Sequence, residues 1–264
     1  MCTLSWQAHP DRLEILFSRD ELHARTPARP PEVETLNGVR VLAPLDVQGG
    51  GTWLASNEAG LTVCLLNHYP DRWGPGSWKS RGLLVRALSP LGNSHQVRDH
   101  LEGISLLEYP RFSLLAFSTK GATARWLWNG EELREFGPPE SPLSSSSLYP
   151  RLVPMLRRRL FRQATRGGSR PLTPERQVAL HRGRRPWPPA FAVAMSRRDR
   201  GTVSLTRIRS TRTEVTMDYW EGDPAENPRR APTHTLPVRT TPTPSVPGAR
   251  GPAPVPPGRP RGRG

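Results

Sequence analysis

Run after run of this 264-residue chain alternates apolar with polar side chains, turn signals separate the runs, and no apolar stretch exceeds six residues. Period-two alternation marks a strand with one buried face, and short runs joined by tight turns pair as antiparallel hairpins. "CTLSWQA" and "RLEILFS" flank the turn signal "HPD", which predicts the first hairpin. A polar, proline-rich connection over residues 26–37 leads to "VRVLAPLD"; "GGGTWLASNEAGLTVCLLN" then reads as strand, turn at 58–60, and strand. The period changes next. "SRGLLVRALS" and "NSHQVRDHLEGI" space their apolar residues as helices do, the second with Asn93 or Ser94 as N-cap. "FSLLAFST" and "TARWLWNG" resume strands, residues 138–147 read as a loop, and helices are expected in "YPRLVPMLRRRLFRQAT" and "TPERQVALH". Pro154 is tolerable in the first of these only near its start. "FAVAMS", "GTVSLTRIR" and "EVTMDYW" predict three more strands, the last two a hairpin. Strands, then helices, then strands again imply an α+β fold: two antiparallel sheets with helices packed outside them.

The first hairpin has a chemical consequence. A turn centred on Pro10 and Asp11 sets Cys2 opposite Arg19, Leu4 opposite Phe17, Trp6 opposite Ile15 and Ala8 opposite Leu13. One face is then apolar except at its open end, where a thiol and a guanidinium come within cross-strand reach. An arginine on a buried face is costly unless something uses it. Removal of Met1, expected because Cys is small, would leave Cys2 with a free α-amino group of reference pKa ~7.7 to 8.0, suited to taking the thiol proton. Arg19 would favour the thiolate further. One residue thus supplies both nucleophile and base.

Charge and composition divide the chain. Residues 224–264 hold 12 of the 31 prolines, seven arginines and one acid, which reads as a disordered tail behind an ordered domain at 1–223. Residues 1–150 carry 14 basic and 16 acidic groups, whereas 151–212 carry 17 arginines against Glu175 and Asp199. A solvated basic face is the first reading of that excess; an anionic ligand comes second, and nucleic acid is disfavoured. The short apolar runs exclude a membrane-spanning helix, which needs ~20 residues. With no secretion signal at the start, cytoplasmic residence is expected, and two cysteines suit a reducing compartment.

"MCTLSW", "LFSRDELHARTPARPP", "GGGTWLASN" and "VCLLNHYP" resemble the family named for its Asn-Arg-Asp-Glu motif, which includes the transport and Golgi organisation protein 2 group. The likeness continues through "SRGLLVRAL", "SPLSSSSLYP" and "GTVSLTRIRS" and ends before the tail. Members of this family are similar to N-terminal nucleophile (Ntn) hydrolases, so the resemblance implies a four-layer αββα sandwich. The start also resembles conjugated bile salt hydrolases and penicillin V acylases. Carried over by position, this implies Cys2 as nucleophile, Arg19 as its orienting cation, and Asp20 or Glu21 holding the α-amino group or a substrate. Asn67 would be an oxyanion-hole donor, an interaction worth ~3 to 4 kcal/mol. Ser18 stands where the family motif has Asn, and the hairpin register turns it away from Cys2.

Other features read more plainly. "QGGGTW" lacks the Lys-Ser/Thr of a phosphate loop, so Gly51 is expected in a tight bend at the pocket. Trp53, Trp73 and Trp78 suit core and pocket wall, with Gly51, Trp53 and Glu21 expected to contact substrate. Cys64, in an apolar strand, is expected in the core. The seven histidines show no metal spacing, and neither metal nor cofactor is called for. The leading expectation is an Ntn-type hydrolase of a C–N amide, or a thioester, passing through an acyl-Cys2 intermediate on a small-molecule substrate, which the basic excess would suit to be anionic. The alternative is a non-catalytic carrier of haem or an acyl metabolite in the same pocket.

Overall fold

The opening hairpin forms in the expected register. The computed structural model describes residues 2–69, 78–119, 123–137, 140–165, 167, 171–226 and 228–239. β1 (Cys2–Ala8) pairs antiparallel with β2 (Leu13–Leu22), Cys2 facing Arg19 and Ala8 facing Leu13. The chain then leaves for a second sheet made of β3 (Arg29–Leu36), β4 (Val39–Leu45), β5 (Leu54–Asn57), β6 (Leu61–Asn67), β7 (Phe112–Ser118), β8 (Thr123–Trp128) and β9 (Leu133–Phe136), paired in chain order. α1 (Arg81–Leu88) and α2 (Ser94–Glu102) lie between β6 and β7 in sequence, each capped by a side chain, Ser80 or Asn93, that accepts a backbone N–H of the first turn. β10 (Leu143–Ser145) returns to the first sheet, and α3 (Leu152–Ala164) and α4 (Pro174–His181) follow. β11 (Arg200–Ser210), β12 (Glu214–Glu221), β13 (Arg229–Arg230) and β14 (His234–Pro237) complete that sheet in the order β10-β1-β2-β11-β12-β13, with β14 also on β12.

The layers follow from which faces are apolar. Leu4, Ile15 and Phe17 of the first sheet meet Leu54, Cys64, Leu66 and Leu115 of the second in one inter-sheet core. The opposite face of the second sheet packs Val63 and Leu114 against Leu84, Val85 and Val97 of α1 and α2. α3 and α4 cover the opposite face of the first sheet, where Phe161, Leu172 and Val193 form a smaller cluster. The result is the α+β sandwich, αββα in four layers. No helix among the described residues is long and apolar enough to cross a membrane.

Several expectations are corrected. Residues 26–37 are not merely a connection, since β3 runs through them; Pro30 and Pro31 are accommodated because β3 is an edge strand with a register shift between Arg29 and Glu32. The 138–147 loop contains β10, which pairs Ser145 with Cys2. Residues 192–195 of "FAVAMS" are buried, but the segment is not a strand. Its backbone is used otherwise: the carbonyls of Phe191 and Ala192 accept from Arg157, that of Ala194 accepts from Arg184, and the Met195 N–H donates to Thr202 Oγ1. The first sheet also continues past residue 223 through β13 and β14, into the stretch read as tail, of which residues 240–264 lie outside the described residues.

The layer between the first sheet and its helices is polar as well as apolar. Ser5 Oγ and Ser18 Oγ, from paired strands, each lie 2.7 Å from one ring nitrogen of the buried His181 on α4. Burial, then Arg157, pushes the His181 pKa down to about 3. Between that value and the ordinary 6.5 the unfolded chain binds a proton that the folded chain refuses. Stability should therefore hold above pH 6.5 and fall on acidification towards pH 3 by up to ~1.4 kcal/mol per pH unit from this group. Urea titrations at stepped pH will read that slope, which His181→Gln should flatten.

A second contact is equally specific. The turn after β4 brings Gly51 against the first residues of α1, so that a Cβ on Gly51 would lie 2.1 Å from the Gly82 carbonyl carbon. Thr52 N–H donates to the Gly82 carbonyl, 3.1 Å away. Backbone meets backbone with no flexible side chain to yield. Gly51→Ala should cost about 1–3 kcal/mol by overpacking, visible as a lowered thermal midpoint.

Candidate active site

Where the open end of the first hairpin meets the second sheet, a cavity of about 420 Å3 opens. Cys2, Arg19, Asp20, Glu21, Trp53 and Asn67 line it, so six of the seven residues singled out in the sequence converge from β1, β2, β5's approach and β6. Gly51 is not on the wall; it supports the wall from behind by packing on Gly82. Trp78 also lines the cavity, while Met1 and Trp73 lie outside the described residues. Cys64 is fully enclosed in the inter-sheet core, and burial pushes its thiol well up.

Cys2 is 8% exposed. Its backbone N–H donates to Ser145 Oγ at 3.1 Å, a contact made possible by β10 pairing on the far side of β1. Burial, the largest influence, raises the thiol pKa, and the Asp20 carboxylate adds to the rise. The Asp20 backbone N–H and the Arg19 guanidinium act the other way, favouring the thiolate.

Arg19 is held by three neighbours. Its guanidinium carbon stands 4.5 Å from the Trp53 ring centroid, a cation-π contact. Its Nη2 lies 3.3 Å from Glu21 and 3.9 Å from Asp46, which is itself 2.5 Å from Arg25. The costly buried-face arginine of the hairpin is thus paid in carboxylates at the cavity rim.

Asp20, one residue on, belongs to the opposite strand face and is equally buried. Thr202 Oγ1 donates to it at 2.6 Å, and Arg157 of α3 approaches its second oxygen to 3.7 Å. Arg157 is fully enclosed; it also donates to Thr3 Oγ1 at 2.6 Å and to the Phe191 carbonyl at 3.0 Å. Burial raises the Asp20 pKa against the opposing pull of Arg157. Ser18, on the same face, bonds His181 and does not reach the cavity.

Asn67 ends β6, and its amide donates to the Tyr69 hydroxyl at 2.8 Å, leaving a second amide hydrogen for another acceptor. Arg81 and Arg157, at or behind this site, were not reached from the sequence, and Ser145 was read only within a serine loop for which the resemblance left a pocket-lining role open. Ser145 and Arg81 lay inside the segments "SPLSSSSLYP" and "SRGLLVRAL", but only β10 pairing and the docking of α1 bring them to Cys2. Arg81, the first residue of α1, lines the cavity and anchors on the Arg111 carbonyl at 3.0 Å; burial lowers its pKa, while Tyr69, Cys2 and Glu21 favour its charge. Arg157 sat in the arginine-rich stretch with nothing to distinguish it from its neighbours. Among the described residues no three His, Cys, Asp or Glu side chains gather as metal ligands.

Solved structures of low sequence identity share this fold. Penicillin V acylase from Agrobacterium tumefaciens superposes with a TM-score of 0.50 over 87% of this chain and 84% of its own, at 12% identity. The Caenorhabditis elegans ortholog of N-acylethanolamine-hydrolyzing acid amidase gives a TM-score of 0.52 over 88% of this chain and 99% of its own, at 8% identity. None of the curated proteins matches the sequence. The family model described as Transport and Golgi organisation 2 matches residues 1–164, from the start of the hairpin to the end of α3. With well over half its length matched, and on the fold of the Ntn hydrolases, the chain belongs to the Transport and Golgi organisation 2 family.

Proposed function

We propose that the protein is an N-terminal-cysteine hydrolase that cleaves a C–N amide bond, or a thioester, through an acyl-Cys2 intermediate. The observation that carries this reading is the convergence of Cys2, Arg19, Asp20 and Asn67 on one cavity, with the Cys2 backbone nitrogen tied to Ser145. Two fold neighbours named as an acylase and an amide-hydrolysing amidase are consistent with it.

A buried thiol with a raised pKa keeps its proton at neutral pH, so it needs a base beside it. Once Met1 is removed, the α-amine of Cys2 is that base. The amine takes the thiol proton, and the thiolate adds to the substrate carbonyl. The free amide hydrogen of Asn67 and the charge of Arg81 suit the oxyanion that forms. Collapse breaks the C–N bond, the α-ammonium returns its proton to the leaving nitrogen, and an acyl thioester remains on Cys2. Water then adds to the thioester with the α-amine taking its proton, releasing the acid and restoring the thiol. Arg19, pinned by Trp53 and Glu21, orients the sulfur, and Asp20 holds the strand end and the α-ammonium.

The buried, protonated state of Cys2 also favours the second reading, a non-catalytic carrier that encloses haem or an acyl metabolite. Two measurements separate them. Iodoacetamide should label Cys2 at pH 7 at least ten-fold faster in the chain lacking Met1 than in one with an uncleaved N-terminal extension, whose labelling should climb only above the pH of an ordinary thiol. Equal rates would remove the α-amine as base. Cys2→Ala should lower turnover of a panel of N-acyl amides and thioesters by at least about a thousand-fold and abolish the acyl adduct in intact mass. If the wild type turns over nothing and Cys2→Ala binds the acyl compounds as well as it does, the carrier reading stands instead.

A further inference from the structure

Beside the Cys2 cavity lies a smaller chamber of about 90 Å3, room for roughly three waters or one tetrahedral oxyanion. Asn67 lines both spaces. The rest of its polar wall includes His68, Ser113, Ser145 and Arg125, and no carboxylate is among the described residues lining it.

Arg125 is the anomaly. On β8 it sits opposite Leu115 of β7, a member of the inter-sheet core, so strand pairing turns its side chain into the layer between the sheets. There it has a long contact to Ser113 Oγ at 3.4 Å and the face of Phe136 at 5.3 Å. Its Nε is buried with no acceptor, and so is the Nε of Arg158 on the neighbouring α3. Neither guanidinium forms an ion pair among the described residues, whereas the buried Arg157 has Asp20. Burial and then Arg158 make the Arg125 charge harder to hold. A cation kept in such a place with no counter-charge among the described residues is suited to take up an anion.

We propose that this chamber is a subsite for a phosphate-type oxyanion, with Arg125 as its principal ligand and the hydroxyls of Ser113 and Ser145 as further donors. Ser145 accepts the Cys2 N–H and keeps its own hydrogen to donate, which joins the subsite to the nucleophile through one residue. Resting on the hydrolase reading, the inference narrows the substrate to an amide or thioester bearing a phosphate-type group close to the reacting carbonyl.

Inorganic phosphate is the probe, compared with chloride at matched ionic strength, on the full chain carrying Cys2→Ala so that turnover plays no part. About 10 mM phosphate should raise the thermal midpoint by roughly 2–4 °C. Adding Arg125→Gln should remove the shift, and Arg125→Lys should keep part of it. In chloride alone Arg125→Met should be no less stable than its parent, because it deletes an unpaired charge. Should Arg125→Gln fail to fold, Ser113→Ala is expected to weaken the phosphate response several-fold. Equal shifts with and without Arg125, or no shift up to about 50 mM phosphate, would overturn the subsite. Phosphate binding in a protein with no hydrolytic turnover would keep the subsite and sink the hydrolase; turnover without a phosphate response would do the reverse.

Discussion

The pairing of β1 with β2 governs the site, because it decides which side chains of the hairpin look into the sandwich and which look under the helices. With Cys2 opposite Arg19, the row of Leu4, Phe17 and Ile15 closes the inter-sheet core and leaves thiol and guanidinium at its open end. The alternate row, Thr3, Ser5, Ser18 and Asp20, meets Arg157 and His181 from α3 and α4. A slip of one residue would exchange the two rows, sending apolar side chains against a buried arginine and polar ones into the core. Both layers therefore enforce the same register, and the register places the nucleophile.

Arginine explains much of the remaining architecture. The excess of basic residues in 151–212 looks like a solvated face in one dimension, and part of it is not. Arg157 is wholly enclosed, Arg207 binds the buried Glu14 at 2.9 Å, Arg184 reaches Asp223 at 2.7 Å, and Arg209 lies 3.4 Å from the buried Asp218. Arg157, Arg184 and Arg207 find acids that lie far away in sequence, and Arg209 finds one across its own hairpin. Long side chains from α3, β11 and the segment before it thus stitch the helix layer and both ends of the first sheet, at positions where the fold encloses polar strand faces. Arg125 stands apart because no acid among the described residues pairs with it.

Local chemistry made much of this legible. Period-two alternation and a single turn signal were enough for the hairpin register, since a slip of one residue takes Phe17 and Ile15 out of the inter-sheet core. The caps of α1 and α2 and the β11–β12 hairpin were readable for the same reason: each is decided within a few residues. Failures came where distant partners take over the backbone. β3 forms despite two prolines because an edge strand spares their missing N–H, β10 forms because β1 offers a free edge, and "FAVAMS" fails as a strand because arginine side chains occupy its carbonyls.

By itself the sequence determined the α+β architecture, the opposition of Cys2 and Arg19, and the polar character of the opposite hairpin face, because each follows from alternation and short-range turn geometry. Tertiary structure alone decided that Ser145 meets the Cys2 nitrogen, that Gly51 supports the cavity without lining it, that Arg81 enters it, and that Arg157 stands behind Asp20. Those contacts join residues separated by 30 to more than 140 positions, and no local rule relates side chains whose neighbourhood is created only when two sheets and their helices close on one another.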